Sequence, residues 1–282
     1  MSAPSSSSPT TTHDRAPILS SIPFGGFDDT QRQFMERMTG APARQLVQLS
    51  GIVEAVSSSS GNDDDKGKVR VLDVCSGPGV VVEAVMSALE EDREKVRVVS
   101  TDIEEGMVEL AKKRARANGW GNVATRVADG TALPFEDASF DFVFCNFGPQ
   151  KRPASSPPRA PTYAYTAWTS PGFVPFLLRA EPSLAPLLLP MFSSPCALPA
   201  EIHALLARTG FDGEKARIED VLVRWRFEGA DEFVSEMQRF PGPMSKGEER
   251  QEKLRRVMRE DFGEDGFELE WKGVAVAAKK RA

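Results

Sequence analysis

The chain reads as an α/β protein built on a mostly parallel sheet with helices on both faces, and three observations predict it. Between Val69 and Cys145, short β-branched runs alternate with stretches whose apolar residues recur at helical spacing. Each of the first four runs stops at a polar or glycine residue, the pattern of an open sheet whose strand ends line a crevice. Two alternating strands then close the chain, at 221–227 and 267–278.

The elements follow in order. Residues 1–20 are rich in Ser, Thr and Pro and predict a disordered tail. Residues 21–57 predict a helical cap. Asp28 or Asp29 caps it, Phe34, Met38, Leu46, Leu49, Val53 and Val56 are its apolar positions, and Pro42 is expected to split it into two helices. Residues 58–68 are a polar linker, and 69–282 make the main domain. Val69, Val71, Leu72 and Val74 form the first strand, with Asp73 near its end. Cys75-Ser76-Gly77-Pro78-Gly79 is a tight turn, and Val81, Val85 and Leu89 mark the helix after it. Val96–Thr101 is a second strand ending at Asp102. A helix over Glu104–Ala117 has acids in its first turn and bases near its end, matching the helix dipole. Asn122–Val127 is a third strand ending at Asp129-Gly130, and Phe140–Cys145 a fourth ending at Asn146-Phe147-Gly148. Tyr163–Trp168 reads as a fifth. Beyond it come a helix over Leu198–Gly210, a strand from Val221 to Phe227, helices over Asp231–Phe240 and Lys246–Asp261, and a last strand with a bulge at Gly273.

Composition narrows the function. The 282 residues carry a net charge of −6 and a pI near 5.2, which argues against a nucleic-acid partner. Three scattered cysteines, Cys75, Cys145 and Cys196, make neither a disulfide framework nor a zinc site, so no metal is expected and a reducing cytoplasm is the simplest compartment. The first residues lack the apolar core of a secretory signal. The most apolar stretch, 173–192, holds Arg179, Glu181 and four prolines, so no membrane span is expected.

The turn after the first strand is a cradle for a polar ligand. Gly77 and Gly79 let backbone approach closely, and helix N–H groups point at what lies there. Asp102, at the tip of the second strand, is placed to accept from the two hydroxyls of a ribose; capping the next helix is its alternative task.

VLDVCSGPG, then Asp102, then VADGTALPFEDASFDFVFCNFG resembles the class I S-adenosylmethionine-dependent methyltransferases, in the small-molecule branch that includes ubiquinone and menaquinone C-methyltransferases. The resemblance covers roughly 69–148 and resumes weakly at Tyr163. It implies a Rossmann-like, seven-stranded sheet closed by a C-terminal antiparallel pair, an N-terminal helical cap over the cofactor, and S-adenosyl-L-methionine as that cofactor. It assigns Asp73 to the cofactor's amino-acid end, Cys75 to the place of the usual first glycine of the turn, and Gly77 and Gly79 to the turn itself. Asp102 then holds the ribose and Ile103 packs on adenine. Asp129 meets the adenine amino group with backbone from Gly130 and Thr131, and Asn146 and Phe147 stand between cofactor and substrate. A hydride-transferring dehydrogenase is the rival, but Val80, Val81 and Val82 follow Gly79 where its fingerprint needs a third glycine.

No His–Asp dyad stands out, since His13 lies in the tail and His203 beside an apolar stripe, so no catalytic residue is named. Transfer by alignment suits an acceptor that is already nucleophilic. A small, apolar or aromatic molecule is the expected partner. Tyr163, Tyr165 and Trp168 either line its pocket or belong to the core. Gly148–Pro161 holds five prolines where the family has a crossover helix. Either one face of the sheet is under-covered or the translated sequence lacks a piece. The second hypothesis is therefore a degenerate or incomplete methyltransferase that binds cofactor, or a partner, without turnover.

Overall fold

The structure is a computed structural model that describes residues 29–59, 67–148, 160–192, 195–239 and 247–281. Its strands are β1 (Val69–Val74), β2 (Val96–Asp102), β3 (Val123–Val127), β4 (Phe142–Asn146), β5 (Thr162–Ser170), β6 (Arg217–Phe227) and β7 (Phe267–Lys279). They pair in the order β3-β2-β1-β4-β5-β7-β6. The five strands from β3 to β5 are parallel, and β7 runs antiparallel between β5 and β6. Apolar, β-branched strands suit this arrangement, because both faces of the parallel part are covered. The sequence-predicted strands are all present.

The helices are α1 (Asp29–Ser50), α2 (Ile52–Ser57), α3 (Val80–Leu89), α4 (Glu105–Ala117), α5 (Val174–Ala180), α6 (Ala185–Phe192), α7 (Pro199–Arg208), α8 (Ala230–Gln238) and α9 (Glu248–Phe262). Pro42 does not split the first of them. α1 runs through it, and the break falls at Gly51, whose φ of 76° is left-handed. A proline withdraws one helical hydrogen bond. Here Phe34 and Met38 before it, and Ala43 and Leu46 after it, are all buried, so packing carries the helix past the gap. Residues 173–192 fold as α5 and α6, which the prolines had hidden. Pro175 sits in the first turn of α5, where no N–H is needed. The bulge lies opposite Gly273: Trp168 pairs with Gly273 and Ser170 with Lys272, leaving Thr169 of β5 as the extra residue.

Two cores flank the sheet. One joins Val71, Val98 and Phe144 to α1, α3, α8 and α9. The other joins Leu72, Val74, Val143, Cys145, Tyr163, Tyr165 and Val276 to Ile202, Leu205 and Leu206 of α7, the one α-helix in it among the described residues. Helices cover both faces, but unequally. The predicted tail, most of the linker and the proline-rich crossover at 149–159 lie outside the described residues. Among the described residues no helix is long and apolar enough to cross a membrane.

Candidate functional site

β1 has β2 on one side and β4 on the other, so chain order reverses at β1 and a crevice opens at the carboxyl ends of these strands. The turn that follows β1 is held from β2. The Ser76 N–H donates to Thr101 O at 2.9 Å, and the Gly77 N–H donates to the Asp102 carboxylate at 2.9 Å. Gly77 and Gly79 have φ of 53° and 81°. A Cβ at Gly79 would lie 3.2 Å from Ala111 Cβ of α4, so glycine there lets the turn lie close against that helix.

Asp73 is fully buried, and neither carboxylate oxygen has a hydrogen-bond partner. Burial raises its pKa well above the usual 3.8, the neighbouring Cys75 and Asp102 add to this, and the Val82 backbone N–H offsets only a part. A buried carboxyl without partners is costly unless something cationic or proton-donating meets it.

Asp102 uses both oxygens. Oδ2 accepts from Gly77, and Oδ1 accepts from the Glu104 N–H at 3.0 Å, an Asx turn two residues on. Each oxygen keeps acceptor capacity. Ile103 is exposed beside it, at 48%. Asp129 Oδ1 accepts from both the backbone N–H and the hydroxyl of Thr131, at 2.8 and 2.7 Å, which shapes the loop after β3. Gly130 backs onto β1, where an added Cβ would meet Val74 and Cys75 at 3.0 and 3.2 Å.

At the end of β4, Asn146 and Phe147 share one partner. The Thr166 hydroxyl donates to Asn146 Oδ1 at 2.7 Å and accepts from the Phe147 N–H at 2.9 Å. The parallel register places Thr166 beside Asn146. Asn146 Nδ2 also donates to Thr39 O of α1 at 3.3 Å, fixing α1 against this strand end. Phe147, at φ 57°, stacks on Trp168 with ring centroids 3.9 Å apart. Trp168 thus stands beside Phe147, both buried in the core under α1, whereas Tyr163 and Tyr165 are buried in the α7 core, with Tyr165 donating to Cys196 O at 3.2 Å.

The eleven sequence-predicted site residues therefore lie at the carboxyl ends of β1, β2 and β4 or on the loops that follow β1, β2, β3 and β4. Sequence reasoning missed Thr39 and Thr166, whose places depend on the α1 docking and on the β4–β5 register. His203 is structural: its Nδ1 lies 2.9 Å from Gly213 O.

Residues 71–160 match the family described as methyltransferase domain. The chain is 37% identical over 83 residues to a demethylmenaquinone methyltransferase of Geobacillus kaustophilus, covering 29% of this chain and 34% of that one. It is 38% identical over 80 residues to a ubiquinone/menaquinone biosynthesis C-methyltransferase of Bartonella quintana, covering 28% and 30%. The family match falls on the segment that builds the crevice.

Residues 71–160 are thus similar to a methyltransferase domain.

Two solved structures share the fold of the chain. The Bacillus subtilis YcgJ protein superposes over 83% of this chain and 98% of its own with a TM-score of 0.50 at 17% identity. A Bacillus halodurans protein does so over 82% and 98% with a TM-score of 0.53 at 15% identity. The chain spans about a third of the length of the curated relatives it matches. Outside the matched segment, the likeness of this chain to the solved structures is one of fold.

Proposed function

We propose that this chain transfers a methyl group from S-adenosylmethionine to a small, apolar acceptor. Asp73 carries the proposal: a fully buried carboxyl without a partner beside the glycine turn is matched by a ligand that brings an ammonium group. The other residues fit the same ligand. Asp102 has acceptor capacity left for a ribose diol, Ile103 offers an exposed apolar surface for adenine, and Asp129, Gly130 and Thr131 border the same side. When bound, the cofactor supplies an electrophilic methyl group on a sulfonium.

This chain's part is to bind, orient and keep water out. Gly77 and Gly79 bring backbone to the ligand, and α1, tied to Asn146 through Thr39, acts as the cap. Phe147 and Trp168 present an aromatic wall on the acceptor side. His203, the one histidine among the described residues, is engaged elsewhere, so the acceptor arrives nucleophilic and alignment drives transfer. The relatives are named for demethylmenaquinone and for ubiquinone and menaquinone biosynthesis, and an acceptor of that apolar class suits the wall. A reducing cytoplasm is the compartment this reading favours, with Cys75, Cys145 and Cys196 all present as thiols.

Calorimetric titration with S-adenosylmethionine and S-adenosylhomocysteine tests the reading. Micromolar binding is expected, weakened by about 10- to 100-fold in Asp102→Ala, the usual cost of losing hydrogen bonds to a charged group. A folded protein that binds neither compound would end the methyltransferase reading.

A further inference from the structure

The first residue of the glycine turn is a cysteine, and it meets a second cysteine on the neighbouring strand. Cys75 has φ 55°, the left-handed region that side chains rarely adopt. Continuing β1 regularly, residue 75 would point to the face opposite Val74. The left-handed backbone turns it back instead. A Cβ at Gly130 would touch both Val74 and Cys75 Sγ, and one at Gly148 would collide with Cys145 Sγ while lying 2.8 Å from Cys75 Cβ and 3.2 Å from Cys75 Sγ. The two thiols hydrogen-bond each other, and that contact, followed by burial, raises the pKa of Cys145. Cys75 is exposed and Cys145 buried. β1 and β4 are adjacent parallel strands, with Asp73 opposite Phe144, so residues 75 and 145 sit diagonally across one ladder step. With neighbouring strands about 4.8 Å apart and a rise of about 3.3 Å per residue, such a diagonal is about 5.8 Å, within the Cα separation a disulfide spans.

We propose that Cys75 and Cys145 form a modification site, a thiol pair that hydrogen peroxide converts to a disulfide at the mouth of the crevice. The exposed Cys75 thiolate attacks one peroxide oxygen. The O–O bond breaks, and hydroxide leaves as water, giving a sulfenic acid. Cys145 sulfur then attacks Cys75 sulfur, the S–O bond breaks, and the hydroxyl departs as water with the Cys145 proton. Two thiols lose two electrons and two protons, and peroxide becomes two waters. The bond ties the turn that carries Gly77 to β4, so cofactor affinity is expected to fall by about tenfold, the worth of one hydrogen bond to a charged group. That last consequence rests on the proposed function; the disulfide does not.

Peptide mass spectrometry after stoichiometric peroxide and alkylation under denaturing conditions is the test. The expected product is a dithiothreitol-reversible Cys75–Cys145 cross-link, with Cys196 alkylated. In Cys145→Ala, Cys75 should stop at a sulfenic acid that dimedone traps, while the reduced variant keeps its affinity for S-adenosylhomocysteine. Sulfinic acid at Cys75 beside free Cys145, or pairing of either residue with Cys196, would overturn the proposal, as would unchanged cofactor affinity in the cross-linked protein. If the reduced protein binds no cofactor, the proposed function fails while the cross-link still reports on the pair.

Discussion

Asp73 sets the residue-scale consequence, because its ionisation is unfavourable in the folded chain without a partner. Below the ordinary carboxylate range it is protonated in both folded and unfolded chains, and its burial carries no penalty of charge. As pH rises past 3.8 the unfolded chain releases the proton first. Stability then falls until Asp73 ionises in the folded chain too, by roughly 1.4 kcal/mol for each unit by which burial raises its pKa. Asp73→Asn removes the slope. The ligand-free variant should match the parent near pH 4 and melt several degrees higher at pH 8, while binding S-adenosylmethionine more weakly at both. Thermal melts across that range check it, and parallel pH profiles for the two proteins would refute it. The sequence places Asp73, Asp102, Asp129 and Asn146 correctly at strand ends, because strand ends follow from where apolar β-branched runs stop. It could not show that Asp73 is unpartnered or that Thr166 joins Asn146 and Phe147, since both depend on burial and register between distant segments.

At the scale of elements, one buried cation joins three helices. Arg114 of α4 ion-pairs with Glu36 of α1 and with Glu83 of α3, the latter at 3.0 Å, and Arg32 also binds Glu36 at 2.7 Å. Burial, with the nearby charge of Arg32, lowers the Arg114 pKa to about 10, so pairing does not repay its desolvation. The ions therefore hold α1 in place more than they stabilise the fold. Arg114→Met, which keeps volume and removes the charge, should change stability by less than about 1 kcal/mol. Glu36→Ala, which leaves two arginines short of an acceptor, should cost about 1–3 kcal/mol. Urea denaturation of both variants decides between this and a net-stabilising bridge, for which Arg114→Met would be the worse. Neither the bridge nor the unbroken α1 was legible from sequence. Pro42 signals a stop to local reasoning, and only the burial on both sides of it overrides that signal. The same local rule hid α5 and α6 behind their prolines, whereas α3, α4 and α7 were plain from periodicity.

For the whole molecule, the unequal cover of the two faces matters most. One core draws on α1, α3, α8 and α9, so a cavity there has several helices to relax around it. On the other, Ile202, Leu205 and Leu206 of α7 are the helical anchors over Leu72, Val143, Tyr163 and Tyr165, and all three are at most 2% exposed. The proline-rich run between β4 and β5 left two readings open, one under-covered face or a missing piece of sequence, and α7 is the helix that covers this face among the described residues. Leu206→Ala should therefore cost about 2–5 kcal/mol, toward the upper end because few neighbours can close the cavity. It should also reach the site, because Val74 and Cys145 of the same core flank the glycine turn. Weaker cofactor binding is expected alongside the lost stability. Val85→Ala in α3, buried in the better-covered core, is the comparison: a smaller side chain is removed and more helices surround it, so about 1–3 kcal/mol is expected. If Leu206→Ala cost less than Val85→Ala in urea denaturation, α7 would not be the seal of its face, and another segment would have to cover the strands that carry the crevice.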